Sequence, residues 1–269
     1  MKDESALAVD WLIPDWPVRE HVRALCSTRA GGVSEGPFGS LNLGDHVQDD
    51  ALAVQRNREI FGAALTTAAG VAHPVFLNQV HGTHVEWLRR GTADGTQADA
   101  CATLEEGVAC VIMVADCLPV LFTNRQGDQV AAAHAGWRGL AGPTGGTGIL
   151  EEVVAEFART DEVIAWLGPC IGPTAFEVGA EVRAAFCEAG ASAERFFKPL
   201  GEHKFLADLA GLARHRLQRA GVASIHGNDS SLPWCTFSNP ERFFSYRRDQ
   251  RALGGSGRLA AAVWLDRRV

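Results

Sequence analysis

Short apolar runs, separated by clusters of Gly, Pro, Asn and Asp, set the rhythm of this chain. Runs of this length bounded by turn residues predict strands, here over 22–26, 75–80, 108–114, 120–122, 130–134, 163–167 and 259–265. Apolar residues at helical spacing predict helices over 50–65, 149–160, 179–189 and 208–220. The last is the clearest, with Leu209, Leu212, Ala213 and Leu217 recurring on one face and Gly221 as a stop. Strands and helices interleave without strict βαβ alternation, which predicts a mixed-sheet α/β or α+β domain, one rather than two. The glycine-rich run 139–148 follows a strand-like run and precedes a helix-like one, so it reads as a long loop.

Composition narrows the class. The 269 residues are 46% apolar and 21% charged, enough to bury a proper core and unlike disordered, collagenous or coiled-coil chains. A net charge of −7 argues against general binding to a nucleic-acid backbone, while leaving room for a local basic pocket. The longest clean apolar run, 108–115, is far short of a membrane span. The start, Met1-Lys2-Asp3-Glu4-Ser5, lacks the basic-then-apolar pattern of a secretory signal. Seven cysteines, an odd number with no CxxC pair, point to reduced thiols and a cytoplasmic protein.

Three side chains stand out as chemistry. His81, Cys117 and His134 each end an apolar, strand-like run, where loops open a cleft while strands hold geometry. Two imidazoles and a thiolate suit Zn²⁺, and three protein ligands leave a fourth position for water or substrate. Their separations match no local zinc signature, so two other readings stand beside it. One is a Cys117 nucleophile with a His134 base; the other is a buried thiol and two histidines in ordinary packing. His84 is read as a non-ligand. Cys26, Cys101, Cys110, Cys170, Cys187 and Cys235 are read as packing residues.

Motifs then carry a resemblance. STRAGGVS (27–34), SLNLG (40–44), QVHG (79–82), ADCLPV (115–120), AHAGWRG (133–139) and GPCIGP (168–173) follow in order, with Cys235-Thr236 and FFSYRR (243–248) near the C-terminus. Together they resemble the YfiH-type family, also called laccase-domain or "polyphenol oxidase" proteins and peptidoglycan editing factors. The resemblance covers nearly the whole chain from Cys26, giving an N-terminal extension at 1–20 and a single catalytic domain at 21–269. It implies a four-layer α-β-β-α fold with mixed sheets, and a zinc held by His81, Cys117 and His134, with Cu²⁺ possible at the same place. It also implies phosphorolysis of purine nucleosides (adenosine, inosine, guanosine, methylthioadenosine), with adenosine deamination beside it. Purine nucleosides and phosphate are thus the expected partners, with no nucleic acid or membrane, in a monomer or homodimer.

Arg29, Asn42 and Arg58 lie in matching motifs, and Arg138 follows the third ligand closely. Arginine offers phosphate a fixed fork of donors, and an amide can hold a ribose hydroxyl, so these four are the candidate substrate-binding residues. Gly31-Gly32 and 136–139 are candidate anion cradles or plain turns. Trp137 is placed either against a purine or in the core. The loop at 142–148 is longer than is usual for the family. Zinc nucleobase deaminases pair an HxE element with a PCxxC element, and no PCxxC occurs here, leaving Asp116 as a weak acid/base candidate. A four-copper oxidase needs HxH pairs, and the nine histidines form none. A quality-control role in cell-wall precursor synthesis is the alternative from another class.

Overall fold

A computed structural model describes residues 11–143, 146–188 and 191–266. Residues 1–10 of the expected extension, 144–145 of the long loop, Ala189 of an expected helix and 267–269 lie outside the described residues. In chain order the first strands are β1 (Val22–Cys26), β2 (Thr66–Thr67), β3 (Gly70–Val71), β4 (His73–Phe76), β5 (Val85–Trp87) and β6 (Ala100–Thr103). Next come β7 (Val108–Val114), β8 (Leu118–Asn124), β9 (Val130–Ala135) and β10 (Val163–Leu167). The last are β11 (Glu177–Gly179), β12 (Phe197–Gly201), β13 (Lys204–Ala207), β14 (Ser224–Gly227) and β15 (Leu259–Leu265). The α-helices are α1 (Ala51–Ala64), α2 (Trp137–Ala141), α3 (Ile149–Ala155), α4 (Ala180–Cys187), α5 (Leu209–Arg219) and α6 (Tyr246–Leu253).

Two mixed sheets form the middle of the molecule. One has the order β1-β15-β7-β4, antiparallel except for the parallel β7–β4 pair. The other has the order β14-β10-β8-β9-β6-β5, with parallel pairs at its two edges. Strand β7 explains the layering. Cys110, Ile112 and Val114 face Leu121, Ala132 and Trp166 of the other sheet, while Ala109, Val111 and Met113 face Phe61 and Leu65 at α1. The outer face of the second sheet packs Ala102, Val120 and Ala131 on Leu150 and Val153 of α3 and Leu212 of α5. This is the expected α-β-β-α sandwich. Strands covered on both faces need apolar residues at every position, which is why the central runs do not alternate.

Asp50 and Asp208 start α1 and α5 as N-caps, accepting from Ala53 N and Gly211 N, both at 2.8 Å. Expected helix 149–160 stops at Ala155. Gln129 Nε2 takes the Glu156 carbonyl at 3.0 Å, which removes an acceptor a longer helix would use. Expected strand 75–80 also stops early, at Phe76. Beyond it, the Gln79 amide exchanges two 2.8 Å hydrogen bonds with the backbone of Met113. A side chain thus continues the ladder, and the backbone is free to turn away. Leu12 exchanges backbone hydrogen bonds with Cys26, and Trp11 stacks on Phe61, so this part of the expected extension packs on the first sheet. Among the described residues, no helix is long and apolar enough to cross a membrane.

Candidate metal centre

His81, Cys117 and His134 come together although they sit on three separate segments. Their donor atoms lie within 4.8 Å of one another, and among the described residues no other group of three or more His, Cys, Asp or Glu is so placed. Cys117 Sγ is 3.7 Å from His81 Nε2, close to the roughly 3.5 Å between a sulfur and a nitrogen sharing one tetrahedral zinc. The two imidazoles meet edge to face at 4.7 Å. Only His134 is on a strand; it is buried near the end of β9. Cys117 lies in the turn before β8, not at the end of β7, and the β8–β9 register (Leu118 opposite Ala135) brings it beside His134. His81 lies five residues beyond β4, in a left-handed conformation with φ 63°. The expected strand-end placement is therefore corrected for two of the three. His84 is exposed and pairs with Glu86, away from this group.

A carboxylate missed in the sequence organises the centre. Asp99, fully buried, accepts from Val80 N at 3.2 Å, His81 N at 2.8 Å and Gly82 N at 2.6 Å. The same group takes His134 Nδ1 at 2.8 Å. It thus pins the left-handed turn that carries one imidazole and fixes the tautomer of the other, leaving His134 Nε2 as the lone pair for a metal. Gly136 supplies room: a Cβ there would fall 2.7 Å from His81 Cδ2 and 3.1 Å from Cys117 Sγ. In this motif glycine is a packing necessity for the centre.

Electrostatics ready the thiolate of a ligand set and leave on His134 a proton that a bound metal would displace. Burial alone would raise the Cys117 thiol, but the charge and hydrogen bond of His134, with His81 behind it, bring it down to about 6. Burial works against the His134 proton, yet Cys117 and Asp99 hold it up to about 9. Burial likewise opposes the Asp99 charge, and the bonds from His134, Gly82 and His81 still keep it below the usual carboxylate range. Thiolate is the form that binds metal. The donor set, its spacing and the buried carboxylate behind it fit a zinc-type ion.

The expected substrate residues separate into two kinds. Arg138 stacks on the Trp137 ring at 4.5 Å and lines a cavity of about 580 Å³ that reaches His81. Trp137 packs against the core, as one of its expected placements has it, and also lines the cavity. The other three are committed within the protein. Asn42 is fully buried; its Nδ2 goes to Gly44 O and Asp49, and its Oδ1 accepts from Gly44 N and Arg258 N. Its amide has nothing left for a ribose hydroxyl. Arg29 spends Nε and Nη1 on the Gly39 and Pro240 carbonyls. Arg58 pairs with Asp45 and Asp94 and donates to Leu43 O. Asp116, the acid/base candidate, adopts φ 86° and accepts from Thr236 Oγ1 and Arg247 N, which makes it a fastener of the turn carrying Cys117.

Comparison with known proteins agrees with this picture. The family model described as "Multi-copper polyphenol oxidoreductase laccase" matches residues 23–266. A purine nucleoside phosphorylase of Pseudomonas aeruginosa is 49% identical over 258 residues, covering 95% of this chain and 98% of that protein. The purine nucleoside phosphorylase YfiH of Escherichia coli is 48% identical over 255 residues, covering 94% and 98%. A crystal structure of a Neisseria meningitidis protein superposes with a TM-score of 0.86 at 44% identity, covering 96% of this chain and 99% of that one. On motifs, fold and matched length together, the chain belongs to the YfiH-type laccase-domain family.

Proposed function

We propose that this chain is a zinc-dependent purine nucleoside phosphorylase, with 21–269 as its single catalytic domain. The observation that carries the reading is the convergence of His81, Cys117 and His134 beside a cavity of about 580 Å³. The names of its 49% and 48% identical relatives, matched over nearly their whole length, support the same activity. Phenol oxidation by several coppers has less support, because the described residues gather a single three-ligand group. When bound, zinc supplies a Lewis-acidic charge with a fourth position open to an oxygen ligand.

The residues of the chain do the rest. The cavity beside His81 receives the nucleoside, with the purine against Trp137 and its stacked partner Arg138. Asp99 holds both histidines in place, so no reorganisation is needed when substrate arrives. His81 is the exposed member of the triad and lines the cavity, so a metal held by the three residues would stand next to the nucleoside's place.

The test is metal content and activity on one sample. Protein prepared without chelator should carry about one zinc per chain, as a single three-ligand site predicts. Cys117→Ala should lose the metal and the cleavage of inosine together, and Cys187→Ser should keep both. Full zinc in both variants would overturn the ligand assignment. Copper competes well for nitrogen and sulfur donors, so the analysis should quantify both metals.

A further inference from the structure

With Arg29 and Arg58 committed to carbonyls and carboxylates and Arg138 assigned to the purine, the reaction's anionic co-substrate needs another cation, and Arg258 has the right place. It directly precedes β15, where Leu259 sits opposite Val114, the last residue of β7. Cys117 follows Val114 by one short turn. Its backbone is fixed by Asn42, whose Oδ1 accepts from Arg258 N at 2.8 Å. Its stem lies across Gly44, where a Cβ would fall 2.6 Å from Arg258 Cγ. One motif of the chain, SLNLG, thus seats this side chain.

That guanidinium is only partly used. Nη1 donates to Ser256 O at 2.8 Å and Gly257 O at 3.1 Å. Nε and Nη2 have no hydrogen-bond partner among the described residues, and the Tyr246 ring is 5.8 Å away. Burial lowers the pKa of Arg258, and the charges of Cys117, Asp116 and Tyr246 oppose it. Once a thiolate is committed to a divalent metal, its charge no longer balances the arginine, and a free anion becomes the natural complement.

We propose that Arg258 binds inorganic phosphate, presenting its Nε–Nη2 edge to two oxygens of the anion beside the metal centre. This rests on the phosphorylase reading. In the reaction a phosphate oxygen forms the bond to C1′ as the C1′–N9 bond breaks. The electron pair leaves with the purine nitrogen, and hydrogen phosphate gives up its proton to the base, so ribose 1-phosphate and free purine are the products.

The test varies phosphate and inosine independently, with Arg258→Lys and Arg258→Met in metal-loaded protein. Lysine keeps the charge and the stem but loses the fork. The KM for phosphate should rise about tenfold in Arg258→Lys and further in Arg258→Met, with the KM for inosine within about twofold and metal content unchanged. Inorganic phosphate should also raise the Tm of the metal-loaded parent protein and fail to raise that of Arg258→Met. An unchanged phosphate KM, or a fall in kcat alone, in a phosphate-dependent enzyme would overturn the role of Arg258 and leave the phosphorylase reading intact. Base release from the parent protein without phosphate would instead remove the reading on which the proposal rests.

Discussion

Asp99 shows how one side chain can set the chemistry of two others. Through its carboxylate it holds the His81 backbone and the His134 ring, and through His134 it reaches Cys117. The sign of the linkage follows. Because the Cys117 value is depressed, thiolate is present above about 6 and is lost as pH falls through it. Because the His134 value is raised, its proton persists until pH climbs through about 9. In metal-free protein, alkylation of Cys117 by iodoacetamide should therefore switch on with a midpoint near pH 6. In Asp99→Asn the midpoint should move upward, since the imidazolium loses its carboxylate. Cys187, whose thiol burial pushes up, should react slowly at neutral pH and serves as an internal comparison. A midpoint near the ordinary cysteine value in the parent protein would contradict the coupling.

At the scale of elements, the centre depends on the close approach of the turn at 80–82 to the start of α2. Gly136 sits at that contact, where a Cβ would meet His81 Cδ2 at 2.7 Å and Cys117 Sγ at 3.1 Å. Gly136→Ala should therefore expel metal while leaving most of the circular-dichroism spectrum intact, at a cost of about 1–3 kcal/mol for overpacking. Full metal occupancy in that variant would show that the loops can part without penalty. The elements also show what was legible beforehand. Strands 108–114, 163–167 and 259–265 were readable because every residue in them is buried, so both faces are covered. Helix α6 was hidden because half of Tyr246–Leu253 is charged and its buried residue is Asp249 rather than an apolar one, and α2 because it has only five residues, one of them glycine. Strand 75–80 was read too long because a glutamine amide imitates a ladder that the backbone has left.

Across the whole molecule, the centre occupies the junction of the two sheets. His81 follows β4 of the four-stranded sheet, His134 lies near the end of β9 of the six-stranded one, and Cys117 lies in the connection between β7 and β8 that joins them. The three converging residues were legible as motifs, because each is surrounded by residues that the local backbone demands. Asp99 and Arg258 were not, since their importance arises only when β6 pairs with β9 and β15 pairs with β7. A sandwich closed by helices on both outer faces holds these distant segments in register, and substrate then meets a centre already built. The measurement that tests this account most directly is the release of hypoxanthine and ribose 1-phosphate from inosine, with and without phosphate, by zinc-loaded protein. The account predicts that base appears only with phosphate, one ribose 1-phosphate for each hypoxanthine. Equal base release without phosphate, yielding free ribose, would contradict it.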